Sequence, residues 1–401
     1  MKILALEIKD FRSLRKVCWT PGDLNVVIGP NASGKSNLLQ VLQLLTVSAA
    51  GGLSEYIREC GGMEPLVWDG TAPGLCIQVK TIPPFPDRDV ARDSLTYHLQ
   101  LERIGGSSAF RIAWEELANY RRVELGERDQ PLRLLERRRQ RATIFDPSEQ
   151  SLTAPEEEIP EEETLLSLAA GPFTANRVIS AFQAKVADWA VYQGYRTDLH
   201  APVRQAALAR HETKIADDGS NLLSVLHTLY TGDREFENAV DAAMLAAFGD
   251  DYDRLVFPPA ADGRVQLRVR WKSLRREQGT ADLSDGTLRF LFLLVVFANP
   301  TPPALIAVDE PETGLHPSML PIIAEHAQDA ALRSQVIITT HSAELLDAFT
   351  TARPSTTVTQ RENGESFLRV LADETLKFWL QEYTLGRIHR TGELEAMEAA
   401  E

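Results

Sequence analysis

Near the start of the chain Leu4, Leu6 and Ile8 alternate with Ala5, Glu7 and Lys9, the period-two pattern of a strand with one buried face. Val17-Cys18-Trp19, after the break at Arg12-Ser13-Leu14, predicts its hairpin partner, so two edge strands open the chain. Leu24-Asn25-Val26-Val27-Ile28 is a mostly apolar run of buried-strand length, and from Asn37 to Leu45 apolar residues return at helical spacing. A short helical stretch lies between Gly51-Gly52 and Gly61-Gly62. Alternation then resumes over Leu75–Thr81, Ser94–Glu102 and Phe110–Trp114, which predicts an antiparallel lobe.

From about Leu165 to Phe248 the spacing is helical, with Phe182, Val186, Trp189 and Ala190 on one stripe and Leu222, Leu223, Val225, Leu226 and Leu229 on another. Asp218-Gly219-Ser220-Asn221 between them predicts a turn and a helix N-cap. A strand over Arg264–Trp271 leads back to a sheet. Leu288–Ala298 is an apolar helix, and Ala304–Val308 and Val336–Thr340 are two more buried strands. The chain thus divides into an N-terminal lobe (1–102), an insert (103–270) and a C-terminal lobe (271–401). Within the insert, arginines crowd Arg137-Arg138-Arg139-Gln140-Arg141 among glutamates, the composition of a solvated face that could also grip phosphates. A second basic cluster holds Arg268, Arg270, Lys272, Arg275 and Arg276. The proline-broken run from Pro155 to Glu163 is too charged to pack and predicts a mobile linker.

Composition narrows the class. With 44% hydrophobic and 25% charged residues, the 401-residue chain has the balance of a soluble globular protein. Its opening residues run into a strand pattern and it has no membrane-length apolar stretch, so a cytoplasmic location with no membrane contact is expected. Cys18, Cys60 and Cys76 lack metal-ligand or disulfide spacing. A net charge of −15 argues against a uniformly basic nucleic-acid surface, though not against a local basic stripe.

The candidate chemistry begins at Gly29-Pro30-Asn31-Ala32-Ser33-Gly34-Lys35-Ser36, a full match to GxxxxGK[ST] placed between an expected strand and an expected helix. The glycines allow backbone N–H groups and the helix N-terminus to approach phosphate oxygens. Lys35 is positioned for the β- and γ-phosphates and the Ser36 hydroxyl for Mg²⁺, with Asn37 next in the loop's reach. A nucleoside triphosphate is the expected ligand. The strand Ala304–Val308 runs into Asp309-Glu310, which fits a metal-shell carboxylate followed by a base that polarises the attacking water. Val336–Thr340 runs into His341, and strand ends of open α/β sheets are where ligands bind, which favours a γ-phosphate-sensing role. Ser284, in Leu283-Ser284-Asp285-Gly286-Thr287, reads on its own as the N-cap of the following helix.

Taken in chain order, Gly29–Ser36, Leu283–Thr287, the strand into Asp309-Glu310 and the strand into His341 resemble the ABC-type ATPase heads of the RecF, SMC and OLD group, and most of all its stand-alone bacterial members labelled AAA-type. The resemblance covers the N-terminal and C-terminal thirds. It implies an α/β phosphate-loop NTPase fold with a mixed sheet, an antiparallel β lobe and a mainly helical insert. It also implies ATP and Mg²⁺ as ligands and a homodimer that closes on ATP, with Ser284 and Gly286 acting across the dimer on the partner's γ-phosphate. The expected function is an ATP-hydrolysing switch in DNA maintenance or antiphage defence, serving a separate effector such as a nuclease, with direct DNA binding left open. A transporter's nucleotide-binding subunit and a small-molecule kinase are the competing classes. The first is disfavoured by the insert and by LSDGT in place of an LSGGQ-like signature; the second leaves Asp309, Glu310, Ser284 and His341 without a task. The chain also departs from the group. The insert shows no sustained coiled-coil heptads, and the sixty residues after His341 are too few for an OLD nuclease domain. Gln78 is a weak candidate for the glutamine loop, His316 replaces an aspartate of transporter-type loops, and Arg12 reads as an exposed strand-end arginine.

Overall fold

The computed structural model describes residues 1–84, 93–105, 108–121, 131–155, 158–171, 176–349, 353–371 and 389. They form two compact units. The first is built from Met1–Gly22, Ile28–Trp189 and Thr356–Leu371, the second chiefly from Asp23–Val27 and Ala190–Ser355.

In the first unit β1 (Ile3–Phe11) and β2 (Leu14–Trp19) form the expected hairpin, with Leu6 opposite Trp19 and Lys9 opposite Lys16. Only β2 is an edge. β4 (Gly74–Thr81) carries its own apolar row, Leu75, Ile77 and Val79, and this lets it pair along the other side of β1. The sheet has eight strands in the order β2-β1-β4-β5-β6-β7-β8-β9, continued by β5 (Asp93–Arg103), β6 (Phe110–Arg121), β7 (Leu132–Arg138), β8 (Arg141–Asp146) and β9 (Ser151–Thr153). Between β2 and β4 lie β3 (Leu24–Ile28), which passes from the second unit to the first after Val27, then α1 (Lys35–Ala50) and α2 (Leu53–Glu59). α1 is buried on most of its circumference by Leu38, Leu39, Val41, Leu42, Leu44 and Leu45, as a helix inside a core must be.

The arginine run is the hairpin β7–β8. Arg133 pairs with Glu116 and Glu136, Arg138 with Glu136, and Arg139 with Glu102, the solvated face that the composition predicts. Arg137 differs, being fully buried and donating to three backbone carbonyls: Arg139 at 2.7 Å, Glu163 at 2.6 Å and Pro160 at 2.8 Å. Ile112 N–H also donates to the Glu161 carbonyl at 2.9 Å. The buried Glu115 carboxylate accepts from Leu165 N–H, Leu166 N–H and the Tyr97 hydroxyl at 2.6, 2.8 and 2.9 Å. The stretch from Pro160 to Glu163 is therefore pinned to the sheet and is not a mobile linker. Its backbone carbonyls satisfy a buried guanidinium while Glu162 is exposed, a partition that composition cannot reveal. Glu156 and Glu157 lie outside the described residues. Helices α3 (Leu165–Ala169) and α4 (Arg177–Ala187) follow, α4 capped by the Asn176 side chain and packed on α1.

In the second unit β10 (Ala190–Tyr192), β17 (Leu305–Asp309), β18 (Gln335–Thr340) and the Leu24–Val27 part of β3 lie side by side in that order. β10 and β17 are parallel, as are β17 and β18, with Tyr192 beside Val308 and Asp309 beside Thr339. The helical stripe expected through Trp189 and Ala190 ends early. α4 stops at Ala187 and Ala190 starts a strand, since three residues buried on both faces leave no periodicity to read. Two three-stranded sheets accompany the helices. One orders β11 (Ala207–Leu208), β14 (Arg264–Val265) and β13 (Pro259–Ala260); the other orders β12 (Tyr252–Val256), β15 (Arg268–Trp271) and β16 (Gln278–Gly279). The single strand expected over Arg264–Trp271 is thus split between them at Gln266-Leu267. α5 (Leu222–Gly232) starts after the predicted turn, but the Asn221 side chain accepts from Ala216 N–H and leaves the helix uncapped. α6 (Arg234–Phe248), α7 (Asp285–Phe297), α8 (Leu320–Ala331) and α9 (Ala343–Ala348) complete the unit. The hairpin of β19 (Ser355–Glu362) and β20 (Glu365–Val370) returns the chain to the first unit.

Candidate functional site

The phosphate loop leaves β3 and ends at α1. Gly34 is the helix N-cap with φ +108°, and a Cβ there would collide with the Ser366 hydroxyl, so glycine is required twice over. No side chain caps α1, which leaves its N-terminal dipole for an anion. Lys35 is 5% exposed, and its Nζ donates to the carbonyls of Gly29 at 2.8 Å and Pro30 at 3.1 Å. Ser33 bonds the Thr359 hydroxyl at 2.5 Å, and Thr359 in turn donates to the Ile28 carbonyl at 3.0 Å, bracing the loop from β19. Pro30, Asn31, Ala32 and Ser36 are exposed, and Ala32 adopts φ +64°. Asn37 is half-buried and donates to the Ser13 hydroxyl at 2.7 Å. Arg12 is half-buried at φ +48°, with a buried Nε that has no partner, contrary to the exposed strand end expected of it.

In the second unit the parallel pair β17–β18 delivers three candidate side chains to one edge. Asp309 ends β17 and accepts a short hydrogen bond from the Thr339 hydroxyl. Glu310 follows at φ +44°, a left-handed angle unusual away from glycine, with its N–H held by the carbonyl and hydroxyl of Thr339, each at 3.1 Å. His341 follows β18, and its Nδ1 lies 3.1 Å from Glu310 Oε1 and 3.7 Å from Glu312 Oε1. Burial pushes the Glu312 carboxyl up, opposed by hydrogen bonds from Thr340 and from the His341 backbone.

Ser284 is the N-cap of α7, its Oγ accepting from Thr287 N–H at 3.1 Å. Gly286 lies so close to the loop after β17 that a Cβ would stand 2.7 Å from the Gly314 carbonyl, so the start of α7 and that loop touch through glycine. Arg204 carries no motif by which it could be found in the sequence. Its side chain, 8% exposed, donates to the carbonyls of Thr197, Thr280 and Leu283 and pairs with Asp285 at 2.6 Å, gripping the loop that presents Ser284. His316 accepts from Ser318 and caps a one-turn helix.

Gln78 lies in the middle of β4, opposite Glu7 and His98, and not at a strand end. Gln193 does follow a strand of the parallel sheet, one residue after the Tyr192–Val308 pair and so level with Asp309. It lines a cavity of about 200 Å³ with Tyr195, Arg289, Phe292, Asp309 and Glu310. Tyr195 stacks on Phe292 at 4.3 Å, and its buried hydroxyl has no partner. The signal for Gln193 was a three-residue apolar strand, Ala190-Val191-Tyr192, too short to stand out from the helical stretch before it.

Among the described residues no cluster of three or more His, Cys, Asp or Glu side chains could hold a metal by itself.

The uncapped phosphate loop and the strand ends that carry Asp309, Glu310 and His341 belong to a phosphate-loop NTPase fold, the fold of SMC heads. The chain belongs to the family described as "AAA domain, putative AbiEii toxin, Type IV TA system", whose profile matches residues 24–347. Among solved structures it is similar to an SMC head bound to the C-winged helix domain of ScpA, at 15% identity over 94% of this chain and 100% of that one, with a TM-score of 0.58. It is also similar to an Smc head with an extended coiled coil bound to the C-terminal domain of ScpA, derived from Pyrococcus furiosus. The identity there is 13% over 95% and 98% of the two chains, with a TM-score of 0.54. At these identities the likeness is one of fold. No curated protein matches the chain.

Proposed function

We propose that this protein is an ATP-binding and ATP-hydrolysing switch that dimerises on ATP and serves DNA maintenance or antiphage defence through a separate effector. The observation that carries this reading is the contact of His341 with Glu310, two side chains from separate strands brought together where a water-activating base and a γ-phosphate sensor are needed. The defence role draws support from the family description, which links this domain to a toxin–antitoxin system. The family and fold support nucleotide binding, and among the described residues no helix is long and apolar enough to cross a membrane.

In this reading Lys35 and the loop from Gly29 to Ser36 bind the β- and γ-phosphates. Glu310 accepts a proton from the attacking water, and His341 senses the γ-phosphate. Ser36 and Asp309 are the ligands assigned to Mg²⁺, which when bound neutralises charge on the phosphates. Gln193 takes the place of the glutamine-loop residue. Ser284 and Gly286, at the N-terminus of α7, act on the partner protomer's nucleotide.

Glu310→Gln keeps the shape of the base and removes its proton affinity, so it traps the closed state. Its mass by light scattering on a sizing column should double with ATP and Mg²⁺ and fall back without them. A mass indifferent to ATP would defeat the switch. Ser284→Arg should bind ATP as the wild type does yet remain monomeric and turn over at least about tenfold more slowly, the size of loss typical of one misplaced catalytic group. Normal hydrolysis by that variant would remove Ser284 from the composite site.

A further inference from the structure

The turn after β17 contains a carboxylate to which the reading above gives no task. The Glu312 side chain is 8% exposed. Its Oε1 accepts from the Thr340 hydroxyl at 2.6 Å and from the His341 backbone N–H at 3.2 Å, while its Oε2 is buried with no hydrogen-bond partner. A buried, unpaired carboxylate oxygen in a native fold calls for an explanation. The His341 ring stands beside the other oxygen of this carboxylate, its Nδ1 3.1 Å from Glu310 Oε1 and 3.7 Å from Glu312 Oε1.

One N–H cannot serve both carboxylates fully. While Nδ1–H is bonded to Glu310, that carboxylate shares the electron pair it would need for water. If the ring turns slightly towards Glu312, Glu310 is released, and Nε2, with Nδ1 engaged, remains for the nucleotide. Glu312 is well placed to receive the ring, because Thr340 and the His341 backbone already fix it. We propose that Glu312 is a positioning residue, the second acceptor for His341 Nδ1–H, which takes the ring from Glu310 and frees that base to act on water.

The proposal rests on the ATPase reading and is tested on the full chain with Glu312→Leu and Glu312→Gln, each alone and combined with His341→Ala. Glu312→Leu is expected to lower kcat about tenfold or more, with KM for ATP changed by less than about twofold, the split that follows when a group acts after binding. Glu312→Gln keeps a weaker acceptor and should lose about threefold. In the His341→Ala background neither change should cost anything further, because an effect carried through the ring vanishes with the ring. Imidazole ¹⁵N spectra of the nucleotide-free protein give an independent readout. The His341 Nδ1 signal of the wild type should be an average over two acceptors, and both variants should move it towards the Glu310-bound position.

An unaltered Nδ1 signal, or a loss of equal size with and without His341, would overturn the proposal in favour of a purely structural Glu312. Should Glu312→Leu not fold, the spectrum of Glu312→Gln decides alone. If the wild type hydrolyses ATP and Glu310→Gln does not, a normal kcat for Glu312→Leu sinks this proposal and leaves the ATPase reading intact. No hydrolysis by the wild type sinks both.

Discussion

Lys35→Ala is expected to weaken ATP binding by about a hundredfold or more, because the β- and γ-phosphate charges lose the cation that meets them. The side chain is 5% exposed and is held over the loop by the carbonyls of Gly29 and Pro30, so its position does not depend on a ligand. Isothermal titration calorimetry with ATP and Mg²⁺ measures the change directly. The thermal midpoint of the nucleotide-free variant should stay close to that of the wild type, because the loop is braced separately by Ser33 and Thr359. Unchanged ATP affinity would refute the phosphate-loop assignment, and a collapse of the fold would make Lys35 a structural residue.

The second large effect lies far from the nucleotide chemistry. Arg137→Ala should destabilise the protein by about 3–5 kcal/mol, since hydrogen bonds to a charged group contribute roughly 1.5–3 kcal/mol each and three carbonyls are left without this donor. Three carbonyls, of Arg139, Pro160 and Glu163, lose their donor, and the buried Glu115 loses the positive charge that offsets its desolvation. The sign of the pH dependence follows. Burial holds the Glu115 carboxyl above its ordinary value, more than the hydrogen bonds from Leu166, Leu165 and Tyr97 lower it. The folded state therefore binds the proton more tightly than the unfolded one. The stability that this gives is present in acid and is lost as the pH rises from the ordinary carboxyl range through the raised value. Without Arg137 the loss deepens, so urea titrations should find the variant further from wild type at pH 8 than at pH 5. Adding Glu115→Gln should remove most of that difference. An equal deficit at both pH values would mean that Arg137 acts only by packing.

Each element with a long, regular pattern was legible in the sequence. The alternation of Leu4, Leu6 and Ile8, the leucines of α1 and the apolar runs at the cores of β3, β17 and β18 all form what their period requires. The phosphate loop and Asp309-Glu310 were legible for a different reason. Their residues adjoin in the chain, and their chemistry depends on local backbone geometry. Short or split elements were not legible. β10 has three residues and no period, and Arg264–Trp271 reads as one strand although its halves join different sheets.

By itself the sequence determined that an apolar strand runs into the glycine loop, into Asp309-Glu310 and into His341, since that is a property of neighbours along the chain. Only the tertiary structure decided which of the many acidic and basic residues are drawn into the interior and what meets them there. Arg137 sits in a run of arginines that otherwise face solvent, Arg204 is indistinguishable in sequence from any surface arginine, and Glu312 is one glutamate beyond a motif already accounted for. Their roles depend on carbonyls, N–H groups and rings contributed from distant parts of the chain. Burial, which turns an ordinary surface charge into a constraint on the fold or on a catalytic base, is a property of the folded whole.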